Sequence, residues 1–301
     1  MRPKVLIIGF GSAGERHAYI LKKKFKIKNL SVITNRKISL NTLKKIQDIK
    51  NFNPDIIVVS NSTFKHLKTI KYIEKNFKNK IILVEKPLIN KFKKFYALKN
   101  RYFVTYQLRF HPVLIHLKKF LRNQEVLNTN IICNSFLPSW RNRDYKRSYS
   151  SNKNKGGGVL LDLSHEIDYL QWLFPNLKYN YFFQKKISSL KIKSEDIAII
   201  NGCDLRNRMQ FQINLNYFSR IPKRLIMIDT NNFSFLGDLT NNFYKIKFKN
   251  RSVTKNFKKY DQNYLTYLMY KSIFKKNYKN LCSFKSGLKI LKTVEKLKTI
   301  S

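Results

Sequence analysis

The amino-acid sequence predicts an α/β chain in which a parallel-sheet domain is followed by an α+β domain with an open, largely antiparallel sheet. Three observations carry this. Short unbroken apolar runs rich in β-branched residues recur at the spacing of β–α–β units, at 4–8 (KVLII), 55–62 (DIIVVSNS) and 80–87 (KIILVEKP). Such runs mark strands buried on both faces, as in a parallel sheet covered by helices. The first run leads directly into a glycine-rich turn, GFGSAG at 9–14, and then into a helical stretch. From 177 onward the pattern becomes alternating β-rich segments broken by Asn, Gly and Asp, which suits antiparallel strands.

The bulk properties agree with a folded protein of two domains, placed here at 1–117 and 118–301. Hydrophobic residues make up 43% and aromatics 14%, too many for a disordered chain. The N-terminal apolar run is too short for a signal peptide, and no stretch approaches a membrane span. A cytoplasmic protein is expected. Cys133, Cys203 and Cys282 are few and far apart, so neither a disulfide framework nor a metal site is expected. The formal charge, 61 − 17 = +44, would ordinarily raise nucleic acid as a partner. Here the lysines are spread along the chain with no basic tail or block. Together with abundant Asn, Ile, Phe and Tyr, this is the imprint of an AT-rich genome on solvent-facing positions, and nucleic acid is not the expected partner.

Each element of the first part has a local reason. Gly9 permits a tight turn, Gly11 lets the backbone approach a pyrophosphate, and Gly14 lets helix and strand pack closely. Phosphate oxygens would then meet the helix N-terminus at Ser12 and Ala13. The next run, LSVIT at 30–34, ends in Asn35 and Arg36. NAD-preferring sites place a carboxylate there for the ribose 2′-hydroxyl, whereas a guanidinium binds a 2′-phosphate bidentately. The expected cofactor is therefore NADP, with NAD as the alternative. Asn61, Lys86 and Arg109 fall just past strand C-termini, where open parallel sheets hold ligands. Asn61, His66, Glu85 and Lys86 complete the candidate cofactor contacts, and Arg109 is a candidate substrate contact.

The motifs GFGSAGERH, EKP at a strand end, YQLRFHP and GGGVLLDLSHEID, in this order, resemble the Gfo/Idh/MocA oxidoreductase family over essentially the whole chain. The resemblance implies an N-terminal Rossmann domain of about 115 residues and a second domain whose open sheet forms the substrate site and a homodimer or homotetramer interface. It also implies hydride transfer between a nicotinamide and a hydroxyl or keto carbon, usually of a sugar, nucleotide sugar or cyclitol. The family's acting lysine and histidine map onto Lys86 and His165. Many members place an aspartate four residues before that histidine, whereas Asp162 precedes His165 by three; Asp162 is carried over as the third catalytic candidate.

The segment 137–149, LPSWRNRDYKRSY, is similar to a subset of the family associated with surface-glycan and nucleotide-sugar metabolism. Its Trp140, Arg141, Arg143 and Tyr149 combine sugar-stacking aromatics with carboxylate- or phosphate-binding guanidinium groups, so Trp140, Arg141 and Tyr149 join Arg109 as substrate candidates. Gly156, Gly157 and Gly158 are read as a close backbone approach to the cleft or a hinge. On one helix over 160–174, Asp162, His165, Glu166 and Tyr169 would share a sector about 100° wide. That lysine-free polar face is expected to look at the cleft. With a solution pKa near about 6.5, His165 can exchange the hydroxyl proton, while Lys86 steadies the developing negative charge. Strands are expected over 180–190, 195–205, 208–218, 223–231 and 243–248, and helices from Tyr264 to Lys298. Arg220 and Arg224 read as structural. The alternatives are a cyclitol dehydrogenase and a non-catalytic cofactor-binding regulator.

Overall fold

Six parallel strands build the first sheet: β1 (Val5–Ile8), β2 (Leu30–Ile33), β3 (Asn41–Leu43), β4 (Ile56–Val59), β5 (Ile81–Val84) and β6 (Arg101–Val104). The structure is a computed structural model and describes residues 3–95, 99–141, 144–153, 156–206, 209–258 and 260–300. The parallel strands lie in the order 3-2-1-4-5-6, the doubly wound arrangement whose ligand crevice opens where the order reverses, beside β1 and β4. All residues of β1 and β4 are buried, which is why their sequences are apolar without alternation.

Helices follow where the sequence changes period. The helix α1 (Ser12–Tyr19) starts on the glycine turn and runs on as a π-helical stretch, Ile20–Lys24. A single turn, α2 (Ile49–Phe52), precedes β4, and α3 (Thr63–Asn76) buries His66, Thr69, Ile70 and Ile73, one helical stripe.

The chain divides into two compact units, Met1–Gln107 with Gln262–Leu291, and Leu108–Asp261 with Lys292–Ser301. The N-terminal stretch of the first unit runs to Gln107, and part of the C-terminal tail returns to it. Two interactions explain the return. The short strand β15 (Cys282–Ser283) adds to the free edge of β6 in antiparallel sense. The helix α7 (Gln262–Phe274) brings Tyr267, Tyr270 and Phe274 around Phe25, with ring centroids 4.7 to 6.1 Å apart. The last helix is α8 (Phe284–Leu297).

In the second unit, α4 (Pro112–Phe120) opens with a proline in its first turn, where no N–H is needed, and His111 accepts the Val113 N–H as N-cap. Next come β7 (Val126–Phe136), α5 (Val159–Asp162), α6 (His165–Leu173), β8 (Leu177–Lys185), β9 (Ile197–Asp204) and β10 (Gln210–Asn216). The chain continues through β11 (Phe218–Thr230), β12 (Phe233–Asp238), β13 (Phe243–Phe248) and β14 (Ser252–Asn256). The sheet order is 14-13-12-11-7-10-9-8, and among the described residues only β7 and β10 of these strands pair in parallel. It is the expected largely antiparallel sheet. One face buries Ile131, Cys133, Ile213, Leu215, Ile226 and Ile228; on the other, Asn130, Ile132, Gln212, Asn214 and Met227 keep partial or full exposure. Among the described residues, no helix is long and apolar enough to cross a membrane.

Candidate functional site

The glycine turn after β1 is built by close backbone contacts on two sides and open space on the third. Gly9 has φ +97°, and a Cβ there would lie 2.4 Å from the Asn61 backbone nitrogen, so only glycine fits. A Cβ on Gly14 would lie 2.3 Å from the Gly9 carbonyl oxygen, while one on Gly11 would meet nothing within 4 Å. Gly11 is also the N-cap of α1 and gives it no side-chain cap. The first backbone N–H groups of that helix, at Ser12 and Ala13, therefore face outward beside a glycine, an arrangement suited to phosphate oxygens.

Arg36 stands at this turn. Its Nη1 donates to the Phe10 carbonyl at 2.6 Å and pairs with Glu15, and both charged side chains remain largely exposed. Asn35 beside it is exposed. The predicted guanidinium is thus anchored to the glycine loop while still largely exposed to solvent.

Asn61, past the end of β4, presses its backbone on Gly9 and donates from Nδ2 to Thr69 Oγ1 at 3.0 Å. His66 is 1% exposed, with Nε2 3.0 Å from the Asn61 carbonyl and Nδ1 3.2 Å from the carbonyls of Pro87 and Leu88. Burial lowers its pKa, and the ring fills the space between the end of β4 and the Glu85–Lys86–Pro87 segment, where its N–H has carbonyl acceptors on either side. It is a brace inside the unit rather than an exposed contact. Lys86 is half-buried, two residues past the end of β5 and before a cis proline. Glu85 turns to His17, 2.8 Å away.

In the second unit the single helix expected over 160–174 is broken. Leu163 leaves helical geometry, with φ −97° and ψ 26°, so α5 ends at Asp162 and α6 begins at His165. The helical-face argument therefore does not hold across the break. Each titratable group finds its own partner. Asp162 is 4% exposed and accepts from the Tyr217 hydroxyl at 2.6 Å. Burial, and then the Asp162 charge, push the Tyr217 pKa well up, which keeps that hydroxyl a donor. The Asp162 charge, and then burial, also raise the pKa of Tyr149, while Arg141 opposes them. Arg141 lies over the Tyr149 ring at 5.3 Å, and Trp140 meets Tyr217 edge-on at 5.3 Å. A pocket next to this cluster is lined by Leu137, Trp140, Arg141, Asp144, Tyr145 and Ser148.

Trp140, Arg141, Tyr149 and Asp162 are thus brought together within one unit, and Arg143 lies outside the described residues. Tyr217, the aromatic at the centre of the cluster, was not singled out from sequence; it sits at the end of an alternating strand pattern and looks like core. His165, the first residue of α6, is 6% exposed.

Two expected cleft groups are instead satisfied internally. Arg109 is 5% exposed, and its guanidinium is held by Asp168, with Nη2 2.7 Å from Oδ1. Glu166 is fully buried and pairs with Arg224 Nε at 2.8 Å. Burial works against the Arg224 charge, but Cys133, Glu166 and Tyr169 outweigh it and raise its pKa. The glycine run also has a definite reason: Gly158 has φ +118°, and a Cβ there would lie 2.1 Å from Glu195 Oε1. Glycine lets this carboxylate sit against the start of α5.

No family model matches the sequence, and no curated protein does. Solved structures do match in fold. UDP-N-acetylglucosamine 3-dehydrogenase GnnA from Acidithiobacillus ferrooxidans aligns with TM-score 0.80 at 14% identity, over 100% of this chain and 98% of that one. The fold is that of the Gfo/Idh/MocA-type oxidoreductases. The WlbA dehydrogenase from Bordetella pertussis, solved with NADH and UDP-GlcNAcA, gives 0.75 at 14% identity over 100% and 96%. A super-repressor mutant of Gal80p from Saccharomyces cerevisiae gives 0.81 at 12% identity over 100% and 96%.

Proposed function

We propose that the chain is an NAD(P)-dependent oxidoreductase acting on a hydroxyl or keto carbon of a sugar or nucleotide sugar, with a place in glycan biosynthesis. The observation that carries this reading is the glycine turn, open at Gly11 and leading into an uncapped helix, in a 3-2-1-4-5-6 sheet whose β5 leads into Glu85–Lys86–Pro87. Gly9, Gly11, Ser12, Ala13 and Gly14 would hold the cofactor's pyrophosphate. Asn35 and Arg36 would take the ribose end, with NADP preferred over NAD, and Asn61 would line the crevice. When bound, the nicotinamide gives or accepts the hydride.

The protein's own groups handle position and proton. Lys86 hydrogen-bonds the reacting oxygen and favours its negative charge. His165 exchanges the hydroxyl proton near neutral pH, with Asp162 supporting it. Trp140, Arg141 and Tyr149 read the substrate, the aromatic rings against sugar faces and the guanidinium against an anionic substituent. In this reading the protein works in the cytoplasm as a homodimer or homotetramer. A panel of UDP-sugars and free sugars with NADP and NAD, read at 340 nm, tests it. Turnover in the wild type that is lost in Lys86→Met and His165→Ala, with cofactor still bound, is the expected result.

The likeness to a Gal80p super-repressor mutant favours a second reading, a cofactor-binding regulator without turnover. Tight cofactor binding with no hydride transfer to any sugar would select it.

A further inference from the structure

The residue before Lys86 belongs to a chain of three hydrogen-bonded side chains, two of them buried. His17 of α1 is 2% exposed, and its Nε2 lies 2.8 Å from Glu85 Oε1. Its Nδ1 lies 2.8 Å from the hydroxyl of Tyr270 on α7, which is fully buried. Burial, and then the Glu85 charge, push the Tyr270 pKa well up, so its hydroxyl keeps its proton. Burial alone would raise the Glu85 pKa, but the hydrogen bond and charge of His17 more than offset it, so the carboxylate accepts. Both ring nitrogens of His17 are therefore engaged, one by the Glu85 carboxylate and one by the Tyr270 hydroxyl. The position of the ring is fixed from both sides.

One imidazole therefore joins three elements of the first unit. α1 begins at the glycine turn, α7 returns from the C-terminal part of the chain, and Glu85 extends β5 with its N–H on the Val59 carbonyl at 2.9 Å. Lys86 comes next in sequence. We infer that His17, locked by Tyr270, is a positioning residue for Lys86, setting where the ammonium stands relative to the phosphate-binding helix. The inference rests on the reading of Lys86 as the group that acts on the reacting oxygen.

The test uses the full-length protein loaded with NADP(H), with His17→Leu, His17→Gln and Tyr270→Phe. Single-turnover hydride transfer at saturating ligands is expected to fall about 10²-fold in His17→Leu, the penalty of a misplacement of about 1 Å, with the cofactor Kd unchanged. His17→Gln keeps an amide donor for Glu85 and recovers most of the rate. Tyr270→Phe, which keeps the ring packing on Phe25 and Phe274, falls between. The second readout needs no turnover: competitive acetylation of lysines resolved by peptide mass spectrometry. Lys86 labelling is expected to change about three- to tenfold in His17→Leu, as for a change of half to one pKa unit, and to return in His17→Gln, while exposed Lys245 stays constant. A wild type that labels this way yet transfers no hydride would sink the functional reading and leave the positioning role standing. Lys86 labelling and transfer rate per folded molecule that match wild type in Tyr270→Phe and in His17→Leu overturn the inference.

Discussion

Arg109 closes on Asp168 through both carboxylate oxygens, with Nη2 2.7 Å from Oδ1 and Nε 3.0 Å from Oδ2. Both side chains are almost wholly buried. Removing one partner would leave the other charge uncompensated, so Arg109→Ala is expected to destabilise the protein by about 3–5 kcal/mol. Arg109→Lys recovers only part, because an ammonium lacks the planar fork. Urea unfolding followed by circular dichroism measures both. A substrate contact would behave oppositely, with unchanged unfolding and a raised KM.

The Asp162 carboxylate serves two tyrosines, and each should report its loss. Asp162→Asn removes the negative charge that heads the causes raising Tyr149. The sign is fixed: a nearby anion disfavours tyrosinate, so without it the Tyr149 pKa falls toward its ordinary value. An alkaline titration of 13C-tyrosine-labelled protein, with Tyr149→Phe to assign the resonance, follows the shift. The Tyr217 resonance moves the same way.

The first unit was legible because its signals are local. An unbroken run such as Val5–Ile8 means burial on both faces wherever it occurs, and Gly9 and Gly14 declare backbone contacts that any other side chain would block. The strand β7 was missed because its centre alternates with asparagine, NTNIICNS, which looks like loop. It becomes a strand through pairing with β10 and β11. The titratable groups after the GGG run misled for a related reason. Their partners, Tyr217, Arg224 and Arg109, come from distant positions, and no local spacing announces a buried pair. The Glu85–His17–Tyr270 chain spans 253 residues between His17 and Tyr270, which places it out of reach of any motif.

Arg36 provides a test of cofactor choice. It is anchored to the Phe10 carbonyl and paired with Glu15. Arg36→Ala is expected to weaken NADP by about tenfold, the low end for a charged hydrogen bond to phosphate, and to leave NAD nearly unchanged. Glu15→Gln releases the guanidinium from its competing carboxylate and should strengthen NADP alone. Fluorescence titration with both reduced cofactors reads each variant. Equal effects on NADP and NAD would show that Arg36 acts on the loop rather than on the 2′-phosphate.

His111 makes stability depend on acid. It caps α4, its Nε2 meets Asn242 Oδ1 at 3.2 Å, and it is 1% exposed. Burial is the main cause that lowers its pKa to about 4, and the Arg224 charge adds to it, while Asn242 and Asp238 oppose it. The unfolded chain binds this proton near its ordinary pKa, about 6.5. Between those two values the unfolded state therefore holds more proton than the native state. The contribution is complete above about pH 6.5 and is lost as pH falls toward 4, with a slope of at most about 1.4 kcal/mol per unit. His111→Asn keeps an N-cap acceptor but cannot titrate. Denaturant midpoints taken between neutral pH and pH 4.5 should fall more steeply for wild type than for the variant. Parallel curves would mean that His111 takes up its proton in the folded protein without penalty, and that its buried position does not govern acid stability.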